Sequence, residues 1–367
     1  MRILTLNPGS STMKAALIED GVTRHAETWA AADAVADESA VHDAIGRWGR
    51  PDAVAVRFVH GGSRPGPVFA DEEVLRALDR LGSLAPLHQP LSVDVTRLVL
   101  ASLPDLPVVA CFDTSFHNGL PEAAKRYALP RAWTRQNRLR RYGFHGLSCG
   151  YTARRAAELL GVDETEPRLV CCHLGSGVSV TAIRGGASVD TSMGFTPIEG
   201  AVMATRSGSV DPGLLLYVLG TGEVDLDGMV DALYHRSGLA GMTGTSGDMR
   251  EVLAARAAGD EAARTAIGVY AHRLRREIGA AAMSLDRLDA LVFTGGVAEH
   301  QPELVGEVAE GLGVLGVRTA PDRLAGRGDR LVSPRGAPVA VLVLTAREDL
   351  ELARQAERLL ASCRTPT

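Results

Sequence analysis

Aromatic residues are scarce in this chain. Phe, Trp and Tyr supply 4% of 367 residues, so the core has to be filled chiefly by Ala, Val and Leu. No apolar run approaches the length of a membrane span, which excludes a membrane protein of the helical kind. There is no basic excess either. The formal net charge of −5 argues against a nucleic-acid partner, because such partners demand a positive field. The five cysteines, at positions 111, 149, 171, 172 and 363, are odd in number and spaced for neither a zinc site nor a disulfide framework. Buried, reduced thiols are expected. Arg2 leads at once into a four-residue apolar run, too short for a signal peptide, so a cytoplasmic location is expected. What remains is a soluble globular composition, 46% hydrophobic and 23% charged, on a length that favours two domains.

The first stretch carries the strongest signal. Ile3 to Leu6 reads as a buried strand, Asn7-Pro8-Gly9-Ser10-Ser11 as a tight turn, and Ala15 to Ile18 as a second strand closed by Asp20-Gly21. This is a β-hairpin rather than a strand feeding a helix. Its small-residue turn offers backbone N–H groups to an anion, with Lys14 adding charge and Asn7 able to bond to a metal's bound water. The same pattern returns half a chain later in Leu169 to Gly186. With Gly9 set on Gly175, Asn7 meets His173, Ser10 meets Ser176, Ala16 meets Ala182 and Leu17 meets Ile183. One hairpin is ordinary, but two that match in apolar pattern and Gly-Ser turn indicate a duplicated domain. Two such loops would hold one nucleotide between them.

Between and after the hairpins the pattern is α/β. Val22 to Gly49 reads as an edge strand and a helix. Asp52 to Gly62 reads as a strand with Val54, Val56 and Phe58 on one face and Ala55, Arg57 and Val59 on the other. Arg57 is then either a solvated edge residue or a functional one. Helices are expected over Asp71–Leu81, Leu91–Leu100, Pro121–Leu129 and Tyr151–Leu160, and the prolines of Ala85–Pro90 fix a loop with His88 at its tip. Leu106 to His117 reads as a buried strand ending in Asp113, where α/β folds place active sites. A lone Asp there could equally cap a turn. Glycines on both sides of Phe144-His145 turn the backbone and push His145 outward. Asp190 to Gly200 and Thr205 to Gly213 follow neither helix nor strand period, and a long Gly-rich loop of this kind is usually functional; Arg206 stands in it among small polar residues. Ser237 to Glu251 reads as a further Gly-rich loop in which Asp248 and Glu251 match a capping box. Glu261 to Leu285 is an amphipathic helix with Ile267, Tyr270, Leu274, Ile278, Ala281 and Leu285 on one stripe. Leu288 to Thr294 is a strand opening into a Gly295-Gly296 loop. Val339 to Leu344 is the last strand, before a C-terminal helix. Thr345-x-x-Glu348 is itself a capping box, so Glu348 either caps or does chemistry.

In order, the segments NPGSS with Lys14, RFVHGG, APLHQP, FDTSFH, YGFHG, HLGSG, DTSMGFTPIEG, TRSGSVDPG, SGDMR and FTGG resemble the acetate kinases over nearly the whole chain. The resemblance implies the α/β fold shared by acetate and sugar kinases, heat-shock chaperone ATPases and actin (a ribonuclease H-like fold): two related domains with a cleft between them. The domain expectation is 1–118 plus 349–367 for the acyl side and 119–348 for the nucleotide side and a homodimer interface. It implies a small-molecule kinase that converts ATP and acetate to ADP and acetyl phosphate with Mg²⁺ or Mn²⁺. Catalytic roles then fall to Arg57, Asp113, His145 and Arg206. The acetate pocket falls to Arg57, Val59, Leu87, Phe144 and Pro197. Nucleotide contacts fall to Asn7, Ser10, Ser11, Lys14, His173, Leu174, Gly175, Ser176, Gly177, Asp248, Met249, Arg250, Gly295, Gly296, Val297, Ala298 and Glu299, and the metal to Asn7 and Glu348.

This chain also departs from the family pattern. Ser176 stands where Asn is usual, Cys149 replaces a common His, Ala298 and His300 replace Gly and Asn of the GGxGEN loop, and Arg347 replaces an Asn. A methyl at Ala298 is expected to narrow the adenosine slot. Propionate or butyrate as acceptor and pyrophosphate as donor are the alternatives within the family, and a non-catalytic nucleotide switch of the actin or chaperone kind is the alternative outside it.

Overall fold

Two six-stranded sheets, each opened by a hairpin, organise the chain. The computed structural model describes residues 1–9, 12–30, 39–86 and 88–364; Ser10, Ser11 and Leu87 lie outside them. The first sheet holds β1 (Arg2–Pro8), β2 (Thr12–Glu19), β3 (Val22–Ala30), β4 (Ala53–Phe58), β5 (Val68–Phe69) and β6 (Val108–Phe112), in the order β3-β2-β1-β4-β6-β5. The second holds β7 (Arg168–Leu174), β8 (Val178–Arg184), β9 (Ala187–Thr191), β10 (Ala290–Thr294), β11 (Arg330–Leu331) and β12 (Ala340–Leu344), in the order β9-β8-β7-β10-β12-β11.

The two orders are one order. In each sheet three antiparallel strands lead to two parallel ones and then to a short antiparallel edge. The hairpin registers differ by one residue: Asn7 pairs with Lys14 in the first and His173 with Ser179 in the second, so the second turn is one residue tighter. The irregularities correspond within a residue, at Leu17/Ile18 and at Ala182/Ile183. The duplication read from the two hairpins therefore extends to whole sheets.

The chain divides into two compact units, one made of 1–119, 144–151 and 347–367, the other of 120–143 and 152–346. In the first, period-2 alternation works as expected. Val54, Val56 and Phe58 join Leu75, Leu78, Val93, Val95 and Val99 on one face of the sheet. Ala53 and Ala55 face Leu352, Ala353 and Ala356 of the C-terminal helix Glu348–Arg364 on the other. In the second unit the long helix Glu261–Met283 packs on β7 and β8, with Ile267, Tyr270, Leu274, Ile278 and Ala281 buried. Asp260 caps it through the N–H of Ala263.

Several expectations are corrected. β4 is an interior strand, flanked by β1 and β6, so Arg57 is not a solvated edge residue. Gln89 and Pro90 belong to the helix Gln89–Ser102, because proline fits a helix's first turn. The residues after Phe112 form a 3₁₀ turn, Asp113–His117. The helix after His145 starts at once, at Gly146, and runs to Leu160. Asp190 and Thr191 end strand β9. Gly238–Thr243 is a helix, not loop, and Gly296–His300 is one turn of helix following Gly295 in the left-handed region. Leu285 lies past the end of its helix. Cys363 is exposed, while the other four cysteines are buried.

Gly146 shows how tightly the first unit is packed near Asp113. A Cβ there would lie 1.9 Å from the Asp113 carbonyl oxygen and 2.7 Å from the Phe116 Cβ. Backbone cannot yield as a flexible side chain can, and overpacking of this kind costs about 1–3 kcal/mol or more. Gly146→Ala should lower the urea midpoint of unfolding and raise its unfolding rate; an unchanged midpoint would contradict the packing described.

Candidate active site

Four of the side chains expected at the site converge in the first unit. Arg57, the fifth residue of β4, is only 13% exposed. Its Nη2 and Nε donate to Asp113 Oδ2 at 2.7 and 3.2 Å. Its Nη1 donates to Asn7 Oδ1 at 2.9 Å and lies 3.6 Å from Glu348 Oε2. Asn7 Nδ2 closes the circuit, donating to Glu348 Oε2 at 2.6 Å. Adjacent parallel strands bring these groups together: β1 ends in Asn7-Pro8, β4 ends just past Arg57, and β6 ends before Asp113. Burial works against the charge on Arg57, but the carboxylates of Asp113 and then Glu348 outweigh it and hold the guanidinium protonated. Burial pushes the Asp113 carboxyl up, Arg57 draws it back, and two guanidinium nitrogens on one oxygen support the ionised pair.

Glu348 is the first residue of the C-terminal helix, not its third, so the capping-box alternative fails. Its carboxylate faces Asn7 and Arg57. The neighbouring Arg347 bonds to Asp349 Oδ1 at 3.0 Å and to Thr23 Oγ1.

His145 lies in the left-handed region with φ of 56°, unusual for a side chain that size. Phe144 before it is buried, meets the His60 ring edge-on at 5.8 Å, and its carbonyl bonds to His117 Nε2 at 3.0 Å. A carbonyl only accepts, so Nε2 carries the proton. Burial depresses the His117 pKa to about 4. Val59 is buried in the same unit. Lys14 is exposed on β2 opposite Asn7.

The second unit holds Arg206 and a cavity. Arg206 is 8% exposed. Its Nη1 donates to the Pro197 carbonyl at 2.8 Å. Among the described residues it makes no ion pair. Burial draws its pKa down to about 10, with only the Tyr234 phenol opposing. A guanidinium held in that state favours the arrival of an anion, because burying an uncompensated charge is costly.

The cavity, of about 410 Å³, is lined by Gly175, Ser176, Asp248, Met249, Arg250, Gly296 and Val297, all of them expected, and also by Ala204, Leu239, Gly247, Tyr270, His300 and Gln301. Its volume suits a nucleoside-sized ligand. His173, Leu174, Gly177, Gly295, Ala298 and Glu299 do not line it. Leu174 is buried in β7, and Gly295 is pressed against it, a Cβ there lying 2.7 Å from the Leu174 carbonyl oxygen. Glu299 Oε1 accepts the Ala346 N–H at 3.0 Å. Ala298 is fully buried and is not among the residues lining the cavity, against the expectation that its methyl narrows the slot. His300 does border it, its Nδ1 donating to the Gly296 carbonyl at 2.8 Å. Asp248 caps its helix through the Arg250 N–H, while Glu251 accepts from the Ser246 hydroxyl, so the reciprocal box is not formed. Tyr270 was legible only as a core residue; its ring borders the cavity and its buried hydroxyl has no hydrogen-bond partner among the described residues.

Comparison with known proteins follows from this geometry. The Acetokinase family model matches residues 25–354. An acetate kinase of Clavibacter michiganensis subsp. michiganensis is 42% identical over 387 residues, covering 96% of this chain and 98% of the relative. Among solved structures, Porphyromonas gingivalis acetate kinase has a TM-score of 0.89 at 31% identity, over 98% of this chain and 99% of its own. A propionate kinase from Francisella tularensis has a TM-score of 0.88 at 30% identity, over 96% and 98%.

The buried His117 generates a pH prediction. An unfolded histidine titrates near 6.5 and this one near 4, so between those values the unfolded chain binds a proton that the folded chain refuses. Stability is therefore fully present above about pH 6.5 and falls as the pH drops towards 4. His117→Gln keeps a donor for the Phe144 carbonyl and cannot titrate. Its denaturation midpoint should fall less than that of the wild type between pH 7 and 5, and equal slopes would contradict the assignment.

Proposed function

This chain belongs to the acetokinase family, and from that premise we propose that it moves the γ-phosphoryl group of ATP to acetate, giving ADP and acetyl phosphate reversibly. The family makes it a phosphotransferase with a carboxylate as acceptor. The observation that carries the residue-level reading is Arg206, a buried guanidinium with a carbonyl and, among the described residues, no carboxylate for company.

The chemistry accounts for that residue. An acetate oxygen attacks the γ-phosphorus, the bond to the β-phosphate bridging oxygen breaks, and ADP leaves. Acetate is already ionised at neutral pH, so no general base is required. The difficulty is the meeting of two anions, and transfer rests on positioning and charge stabilisation. Arg57 orients the acetate, with Asp113 holding its plane; Arg206 receives the charge of the moving phosphoryl group and His145 donates to its oxygens. By the family resemblance we assign the acetate methyl to Val59, Leu87, Phe144 and Pro197. One more methylene costs a pocket only about 1–3 kcal/mol, so propionate is a secondary acceptor, in keeping with the propionate kinase neighbour. The cavity's size and its apolar Leu239, Met249 and Val297 favour ATP over pyrophosphate.

Among the described residues no three His, Cys, Asp or Glu side chains gather into a metal cage. One carboxylate, Glu348, beside the amide of Asn7 fits Mg²⁺ or Mn²⁺ held mostly by water and substrate phosphate. Such an ion offsets phosphate charge when bound. Glu348 would hold it, and Asn7 would orient Glu348 through the 2.6 Å bond.

We place the enzyme in the cytoplasm as a homodimer. Supporting the dimer, Leu214, Leu216, Tyr217, Leu226 and Val230 are exposed on the helices Pro212–Thr221 and Leu226–His235, an apolar face that a monomer rarely leaves open.

Arg206→Ala should lower kcat by about 10²–10³-fold, the usual loss when a charge-stabilising donor is removed, while ATP binding by calorimetry changes little. Acyl phosphate formation would be read as the hydroxamate, with acetate, propionate and butyrate against ATP and pyrophosphate. Near-normal turnover of the variant, or no acyl phosphate from any pair, would overturn the proposal.

A further inference from the structure

We propose that Tyr127, Arg141 and Glu199 form a clamp whose task in the reaction is to aim Arg206, making all three positioning residues. The inference rests on the reading of Arg206 given above.

Two side chains from outside the Asp190–Gly200 segment grip it. Tyr127 Oη accepts the Phe195 N–H at 2.8 Å and donates to Glu199 Oε2. Arg141 Nη2 donates to Glu199 Oε1 at 2.7 Å, and its Nη1 to the Ser192 carbonyl at 3.0 Å. The Arg141 guanidinium also lies over the Tyr127 ring, 5.5 Å from its centroid. The start, middle and end of the segment are thus tied to one rigid pair. Gly194 is the residue that makes room: a Cβ there would lie 1.7 Å from Glu199 Oε2 and 2.1 Å from Tyr127 Oη. Its carbonyl accepts the Tyr142 N–H at 2.9 Å.

The far side of the same segment carries the Pro197 carbonyl. That oxygen takes Arg206 Nη1 at 2.8 Å. Next to it, the Thr196 hydroxyl bonds to the Tyr234 phenol. Gly200 and Ser209 then exchange bonds, Gly200 N–H to Ser209 Oγ at 3.0 Å and Ser209 N–H to the Gly200 carbonyl at 2.9 Å. Arg206 lies between those two anchor points in the chain.

The argument for function turns on what Arg206 lacks. A carboxylate fork fixes an arginine's direction through two parallel bonds. Here no ion pair among the described residues does so, and the head group's direction is set by one carbonyl on a loop. Wherever the clamp holds Pro197, Arg206 follows. A displacement of about 1 Å at a reacting group can cost about 10²-fold.

A double-mutant cycle between Tyr127→Phe and Arg206→Gln tests this. Tyr127→Phe keeps the ring beneath Arg141 and removes both hydroxyl bonds. In the wild-type background it should lower kcat by about 10–100-fold and move the KM for ATP by less than about twofold. In the Arg206→Gln background it should cost almost nothing, because the group it aims is gone. Should Tyr127→Phe fail to fold, Arg141→Lys, which keeps the charge and loses the fork, enters the same cycle. Equal losses in both backgrounds, or an unchanged kcat in the first, would overturn the clamp. A wild-type protein silent toward every carboxylate would instead overturn the reading of Arg206 on which it stands.

Discussion

A guanidinium buried without a counter-charge is the constraint around which the second unit is arranged. Arg206 has given up water and received in return, among the described residues, the Pro197 carbonyl and the neighbourhood of Tyr234. A fold tolerates such a debt where a ligand is to settle it. The surroundings agree with that purpose. Gly208 has φ of 70°, and a Cβ on it would sit 2.6 Å from the Gly200 and Ala201 carbonyl oxygens, so the loop that carries Arg206 is packed backbone against backbone two residues further on.

The first unit solves the opposite problem with the same scaffold. Its sheet repeats the strand order of the second, yet its arginine is fully compensated, with Asp113 at 2.7 Å and Glu348 at 3.6 Å. Arg57 stands on a strand of the repeated sheet, whereas Arg206 stands in the loop between β9 and the helix Pro212–Thr221, outside the repeated strands. A paired arginine is held in a set plane and suits a carboxylate that must be oriented. A bare one suits charge that develops during transfer. This division of labour is the substance of the proposed mechanism.

Much of this was legible in residues alone. Alternation in Ala53–Phe58 gave both faces of β4, the Gly-Ser turns gave the duplication, and the motif order gave the family. The failures have physical causes. Gly238–Thr243 is helical although glycine-rich, because its first turn is tied to Met203 and Ala204, Leu239 and Ala240 donating to their carbonyls, and tertiary bonds override a weak propensity. Pro212–Thr221 was not read as a helix: its run of apolar residues has no helical period, and none of its residues is buried. Ala298 was misjudged since a position in a motif does not say which way a methyl points. The Tyr127–Glu199–Arg141 set joins residues 58 and 72 positions apart, and no local spacing could have announced it.

The central claim concerns two buried arginines of opposite standing, and unfolding measurements in a buffer free of phosphate and carboxylate test it most directly. Arg57→Gln strands the buried Asp113 charge and should be strongly destabilising, by about 3–5 kcal/mol. Arg206→Gln can still donate to the Pro197 carbonyl and removes an uncompensated charge, so its midpoint should equal or exceed that of the wild type. A loss at Arg206→Gln as large as the loss at Arg57→Gln would show that Arg206 is a structural cation and would contradict the account.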